Sequence, residues 1–232
     1  FSKVTSPFLM KIVLGIGTGS TTIEVLKNLT FDSPQQTIPA IPTSHQALQA
    51  ILDHKQLRPA TLAEFPRIDI LFDGADEVCL CSDGDGSNFF QMIKGGGGAL
   101  FQEKVIAEAS KYRIYVVDYS KLSNSLGRFQ VPVEIAPFAF ASVRSRLEEM
   151  GLKLILRESS KGKVGPVISD NGNFISDFNI SRDLNLGPLV NVLDSLSGII
   201  EHGFFINHAE ILVVGEYTGK VSVHSVHNKY RC

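Results

Sequence analysis

Two short segments of this chain carry residue types suited to moving protons on a small anionic molecule. Asp73-Gly74-Ala75-Asp76-Glu77 places acids directly after the apolar run Ile68–Phe72. Twenty-one positions after Asp73, Lys94 opens the run Lys94-Gly95-Gly96-Gly97-Gly98, and Glu103 follows within the next helical pattern. Clustered acids raise one another's pKa and so allow acid/base work near neutrality. A lysine beside them can stabilise an oxyanion as charge develops. Four consecutive glycines are entropically costly, which argues for close passage of the chain beside a ligand. Taken singly, Asp73, Asp76 and Glu77 could form an ordinary acidic loop, and most helical glutamates like Glu103 are merely solvated.

A third segment, Gly15-Ile16-Gly17-Thr18-Gly19-Ser20-Thr21, joins a strand-like run to a helical one. Glycines let backbone N–H groups approach an anion, and a helix N-terminus adds partial positive charge. The hydroxyls of Thr18, Ser20 and Thr21 suit a phosphate carried by a small substrate. The dinucleotide fingerprint is absent because Ser20 stands where its third glycine would be, and no lysine follows to make a nucleotide-triphosphate loop. A tight turn with a hydroxyl cap is the plainer alternative. Lys121, after Ser120, offers a second cation for a phosphate or an ordinary surface charge.

Other candidates carry less. Asp83 and Asp85 in the Ser82–Ser87 loop lack the glycine and glutamate spacing of a calcium loop. His224 and His227 read as solvated, and His202 as structural or, less expectedly, near a site. Cys79, Cys81 and Cys232 give neither a four-ligand metal spacing nor an unstrained bridge between the first two. A reducing compartment fits this usage.

These segments need a scaffold. The first half alternates short apolar runs (Lys11–Leu14, Ile38–Ile41, Ile68–Phe72, Arg113–Val117) with helical patterns. One helix carries Ile23, Leu26 and Leu29. A second, capped by Ser44, buries Leu48, Ile51 and Leu52. A third spans Leu100–Lys111 with Val105, Ile106 and Ala109 inward. This order predicts an α/β fold, a Rossmann-like, mostly parallel sheet covered by helices, with ligands at the carboxyl ends of its strands. After Gln130 the pattern changes: strand Val131–Ile135, helix Phe138–Met150 stopped by Gly151, strands at Leu152–Arg157, Pro166–Ser169 and Phe174–Phe178 with a turn at Asp170–Asn173, then helix Leu186–Leu196. The run Glu210–Val214 resembles a return to the first sheet. The expected organisation is a Rossmann-like catalytic domain over 1–130 and 207–232 with a smaller α+β (ferredoxin-like) domain inserted over 131–206.

Bulk properties narrow the partners. The 232 residues are 44% hydrophobic, enough for a sizeable core. A net charge of −2 with no basic-aromatic interleaving argues against nucleic acid. No apolar run approaches the ~20 residues of a membrane span. The start at Phe1 shows no signal-peptide layout and is compatible with a trimmed, processed or partial chain, including removal of a transit peptide.

Taken together, the chain resembles ribose-5-phosphate isomerases of the A type. The resemblance rests on Gly15–Thr21, Pro42-Thr43-Ser44, Asp73–Val78, Lys94–Ala99 with Glu103-Lys104, Ser120-Lys121-Leu122, Pro132-Val133-Glu134 with Pro137-Phe138, Gly165-Pro166-Val167 with Asp170–Phe174 and Asp177, and Glu201-His202-Gly203, in the family's order over nearly the whole chain. It implies an aldose-ketose isomerase interconverting D-ribose 5-phosphate and D-ribulose 5-phosphate through an enediolate, with no metal or organic cofactor. It further implies Glu103 as the base between C2 and C1, and Asp73 in ring opening and proton transfer at sugar oxygens. Lys94 would stabilise the oxyanion with the Gly95 and Gly96 amides close by, and Asp76 would bind sugar hydroxyls. Thr18, Gly19, Ser20, Thr21 and Lys121 would hold the phosphate. The family's usual assembly is a homodimer or homotetramer, and its chemistry fits cytosol or plastid.

The chain departs from the family pattern at three places. The N-terminal stretch through Pro7 does not read as the family's helix, so a phosphate-reaching lysine is not evident beyond Lys3. Cys79 stands where an aspartate is usual. The link Cys81–Asn88 is lengthened, with Gln91 in a place where asparagine is common. A catalytically weak or inactive sugar-phosphate-binding homologue is therefore the rival reading. Acyl-CoA transferases and sugar-phosphate deaminases share the broad fold and form a second alternative.

Overall fold

In the computed structural model, residues 12–31, 37–82, 88–159 and 164–226 are described. Lys3, Pro7, Lys11, Asp83, Asp85, His227 and Cys232 lie outside them. The first half begins β1 (Leu14–Ile16), α1 (Ser20–Asn28), β2 (Ile38–Pro42), α2 (His45–Asp53), β3 (Leu57–Pro59) and β4 (Ile68–Asp73). A hairpin of β5 (Glu77–Ser82) and β6 (Asn88–Ile93) follows, then α3 (Leu100–Ala109) and β7 (Ser110–Asp118). Next come β8 (Val131–Ile135), α4 (Phe140–Glu149), β9 (Ile155–Leu156), β10 (Phe174–Phe178), α5 (Leu186–Ser195) and β11 (Ile199–His202). The chain closes with β12 (Phe204–Ile206), β13 (Ile211–Gly215) and β14 (Val221–Ser225).

Seven strands form one sheet in the order β14-β13-β7-β4-β1-β2-β3. Every pairing in it is parallel except β13 with β14. Its two faces are both covered, as parallel sheets require. Leu14, Ile16 and Ala40 pack with Leu26 of α1 and Ala47 and Ile51 of α2. Val13, Ile41 and Leu71 pack with Ile106 and Ala107 of α3. Helix α2 starts at its cap: the Ser44 side chain accepts from the Ala47 N–H, as expected.

Residues 131–202 build a separate antiparallel sheet, β11-β8-β10-β9, with α4 and α5 in the connections. The sequence order strand-helix-strand-strand-helix-strand is that of ferredoxin-like units. Between the two sheets lies a third, β12-β6-β5. Strand alternation gives it two apolar faces. Cys79, Ile93 and Phe204 join the core of the small sheet. Val78, Phe90, Met92 and Phe205 join Tyr115, Val117 and Leu212 of the large one.

Several local expectations are corrected. The first strand starts at Leu14, because pairing with β2 and β4 extends Gly15 and Ile16 into the sheet. The glycine turn therefore begins only at Gly17. Leu52 is exposed because the buried face of α2 runs through Ala47 and Ile51. Helix α3 ends at Ala109, where Ser110 returns its hydroxyl to the Ile106 carbonyl, 2.6 Å away. Its inward face holds Glu103 and Lys104 as well as Ile106 and Ala107, which a purely apolar pattern misses. Of the segments Leu152–Arg157 and Pro166–Ser169, only Ile155–Leu156 is regular strand; Pro166 and Ile168 make isolated bridges. The hairpin β5–β6 was not anticipated. Strand β12 falls inside the stretch expected for the inserted domain, yet it pairs with β6.

Candidate active site

The carboxyl ends of β1 and β4, the glycine loop after β6 and the first turn of α3 meet at one cavity of about 310 Å³. Thr18, Gly19, Ser20, Thr21, Asp76, Lys94, Gly95, Gly96, Glu103 and Lys121 line it, so ten of the expected positions converge. Asp73 lies just beneath, 1% exposed, behind Lys94. Two larger hollows, about 760 and 590 Å³, contain neither Lys94 nor the acids around it.

The floor of the cavity is a buried charge cluster. Lys94 Nζ lies 2.9 Å from Asp73 Oδ2 and 3.4 Å from Glu103 Oε2. It also donates to the Gly74 carbonyl at 2.6 Å. The rings of Tyr115 and Phe205 face the ammonium at 5.5 and 5.4 Å. Asp73 is fixed at the end of β4 by the Gly74 N–H, 2.7 Å from its Oδ1. Gly17 permits this packing. A Cβ there would stand 1.9 Å from Asp73 Oδ1 and 2.7 Å from Asp73 Cα, so any larger residue would drive the strand ends apart.

One cation faces two carboxylates in a desolvated space, and protonation follows. Burial pushes Glu103 up to about 8, with Asp73 and Asp76 adding to the rise and Lys94 opposing it. Burial also raises Asp73, against the pull of Lys94. For Lys94, burial alone would favour the neutral amine, but Asp73 and Glu103 overcome it and hold the ammonium charged. A carboxyl poised near neutrality next to a fixed ammonium can take a proton from carbon while the ammonium steadies the oxygen that gains charge.

The other end of the cavity holds no carboxylate of the buried cluster and is rich in donors. The Thr18 hydroxyl bonds those of Thr43 (2.8 Å) and Ser44 (2.7 Å). Gly19 has φ +116 and caps α1 without a side-chain acceptor. The first amides of α1 therefore face the cavity mouth with no intrahelical partner, as at an anion site. Lys121 reaches the same space from a single 3-10 turn, Tyr119–Lys121, which the Asp118 carboxylate caps at 2.8 Å from Ser120 N.

Some roles shift. The Gly96 N–H donates to Asp76 Oδ2 at 2.8 Å, so this amide and this oxygen are engaged with each other rather than open to a ligand. The Gly97 N–H has no hydrogen-bond partner among the described residues, and Gly97 lines the cavity. Gln46 was missed. It accepts from the Gly19 N–H at 3.0 Å and lines the phosphate-like end. Its signal was available: it lies two residues after the N-cap Ser44, in the first turn of a helix aimed at the same strand ends. Arg157 was also missed, because it comes from the small sheet, over fifty residues away in sequence, and donates to the Gly96 carbonyl at 2.8 Å. His202 is structural as expected, buried with Nε2 2.8 Å from Asp194.

A model of the family ribose 5-phosphate isomerase A (phosphoriboisomerase A) matches residues 39–219. The ribose-5-phosphate isomerase of Candida albicans is 40% identical over 92% of this chain and 88% of its own length. The ribose-5-phosphate isomerase A of Archaeoglobus fulgidus is 41% identical over 84% of this chain and 83% of its own. Among solved structures, ribose 5-phosphate isomerase A from Methanocaldococcus jannaschii superposes with a TM-score of 0.80 at 34% identity, covering 92% of this chain and 91% of that one. A D-ribose-5-phosphate isomerase in complex with phospho-erythronic acid gives the same TM-score and identity, covering 93% and 91%.

Proposed function

The chain belongs to the ribose 5-phosphate isomerase A family, and from that membership we propose that its cavity interconverts D-ribose 5-phosphate and D-ribulose 5-phosphate. The observation that carries this reading at the level of residues is the buried triad of Lys94, Asp73 and Glu103 at one end of a cavity whose other end is a helix N-terminus.

The phosphate sits against Thr18, Gly19, Ser20 and Thr21 with Lys121 alongside. That anchor places C1 and C2 of the opened sugar over the triad, so binding energy from the non-reacting end positions the reacting one. Asp73, held on Lys94, assists ring opening and proton movement at the sugar oxygens. Glu103, ionised, removes the C2 proton of the aldose; the C2–H electron pair forms the C1=C2 bond and the carbonyl electrons move to O1. Lys94 stabilises the resulting enediolate. The O2 proton is transferred to O1 with the help of Asp73, and Glu103 returns its proton to C1 as the C2 carbonyl forms, which completes the ketose. Phospho-erythronic acid, held in the related complex, pairs a phosphate with a carboxylate, the two anionic features such an enediolate would present. The Oδ1 oxygen of Asp76 remains for a sugar hydroxyl.

The reading extends to organisation. The stretch 131–202 is an inserted domain that buttresses the catalytic one, with β12 after it returning to β6, and the assembly is a homodimer or homotetramer. Among the described residues no helix is long and apolar enough to cross a membrane, and we place the protein in cytosol or plastid. The test is conversion of ribose 5-phosphate to ribulose 5-phosphate in D2O. Turnover with deuterium appearing at C1 supports proton transfer through an enediolate, and no turnover would overturn the reading.

A further inference from the structure

The glycine loop that follows Lys94 is held from outside the large sheet. Arg157 leaves the end of β9, with its N–H bonded to the Ile175 carbonyl (2.9 Å) and its carbonyl to the Val167 N–H (2.8 Å). Its guanidinium is fixed edge-on by Asp177 of β10, Nε to Oδ2 at 2.8 Å and Nη2 to Oδ1. Asp177 is itself buried. The remaining nitrogen, Nη1, points at the loop and donates to the Gly96 carbonyl at 2.8 Å, with the Gly95 carbonyl at 3.5 Å. A planar fork that gives Nε–H and one Nη2–H to a carboxylate keeps three further N–H groups, two of them on Nη1, and here Nη1 is directed at the loop.

The peptide between Gly96 and Gly97 is planar and trans, so its C=O and N–H point in opposite directions. Fixing the Gly96 carbonyl on Arg157 therefore turns the Gly97 N–H away from Arg157. That amide belongs to a cavity-lining residue and has no partner among the described residues. The neighbouring peptide is pinned separately, by the Gly96 N–H on Asp76. Gly95 has φ +94, a conformation open mainly to glycine, and the Gly98 N–H closes a turn on the Gly95 carbonyl at 2.8 Å, so the peptide between Gly96 and Gly97 is the middle peptide of that turn.

We propose that Arg157 is a positioning residue. Braced by Asp177, it clamps the Gly96 carbonyl and so aims the Gly97 amide at the oxygen that gains charge during isomerisation. The small sheet thereby contributes to catalysis without touching the substrate. The inference rests on the isomerase reading above.

The test compares kcat and KM for ribose 5-phosphate in the wild type, R157K, R157A and D177N, with circular dichroism and thermal melts alongside. Lysine keeps the charge but cannot hold Asp177 and the Gly96 carbonyl together. R157K is expected to lose ~10-fold or more in kcat with KM within about threefold, as for a donor that acts mainly in the transition state. D177N should lose less, in the same direction. Low, non-denaturing guanidinium should restore part of the R157A activity saturably and leave the wild type unchanged. Folded R157K or R157A with wild-type kcat would overturn the clamp, as would a loss confined to KM, or a kcat loss in folded R157A that guanidinium does not relieve. If R157A does not fold at assay temperature, the kcat of R157K decides. Absence of turnover in the wild type would instead defeat the isomerase reading, so the two failures are distinct.

Discussion

The Lys94 ammonium lies 3.4 Å from the Glu103 carboxylate, and both side chains are almost fully buried. Lys94 leaves the end of β6 and Glu103 stands in the first turn of α3, so the glycine run between them is the hinge that folds one onto the other. Glu103 shares this single cation with Asp73, which holds it more closely at 2.9 Å. The carboxylate farther from the cation is the one left to exchange a proton.

Replacing that carboxyl by an amide should separate binding from chemistry. Glu103→Gln is expected to keep sugar-phosphate affinity and to lose ~10³-fold in kcat. Single-turnover kinetics together with calorimetric binding of the sugar phosphate would measure both. A variant within tenfold of wild-type kcat would remove Glu103 as the base.

The pH dependence has a defined sign. The base must be ionised, and burial puts Glu103 at about 8. In the free enzyme kcat/KM should therefore climb with pH and level off above about 8, with unit slope below. The measurement is kcat/KM between about pH 6 and 9. A flat profile over that range contradicts the assignment.

Stability should vary with pH through the same group. Its folded value of about 8 lies above the ordinary 4.5, so the folded chain prefers the protonated form. That contribution is fully present below 4.5 and is lost as pH rises through 8. Glutamine keeps the neutral form throughout. Glu103→Gln should therefore be more stable than the wild type at pH 8, by on the order of 1–2 kcal/mol, with the margin shrinking toward pH 5. Denaturant unfolding at the two pH values reads this directly, and a variant less stable at pH 8 would speak against a neutral buried carboxyl.

At the anion end, Lys121→Ala should raise KM about tenfold with little change in kcat, because a phosphate contact acts on ground and transition state alike. Competition by inorganic phosphate should weaken in parallel. An unchanged KM would take Lys121 out of the phosphate site.

Backbone approach gives a stability test free of chemistry. Gly17→Ala should cost about 3 kcal/mol and most activity, since its Cβ would collide with the Asp73 backbone and carboxylate. Gly215→Ala, whose Cβ would meet nothing within 4 Å, should change stability by about 0.5 kcal/mol or less. Equal effects at the two positions would mean that the contact between β1 and Asp73 relaxes freely.

The sequence by itself determined the chemistry-bearing segments and the kind of fold that carries them. Local rules sufficed there. Alternating apolar runs and helical patterns announce a parallel sheet, Ser44 announces a helix start, and acids placed after a strand fall at its carboxyl end, where ligands bind. Thr18 to Thr21, Asp76 and Lys94 were legible for that reason, whereas Glu103 and Lys121 stood out only through the family resemblance; all of them share one cavity.

Only the tertiary structure decided how those groups divide their partners. No local pattern shows that Asp73 stands behind Lys94, that the Gly96 amide is taken by Asp76, or that Glu103 and Lys104 face inward on α3. Strands β5 and β6 were hidden because their side chains split between two different cores, which removes the simple alternation of polar and apolar positions. Arg157 was hidden for a related reason. An arginine after a two-residue strand looks like any surface charge until a second sheet carries it to the Gly96 carbonyl. Burial, charge sharing and long-range contacts depend on where distant segments meet, and that distance is set by packing between sheets rather than by spacing along the chain.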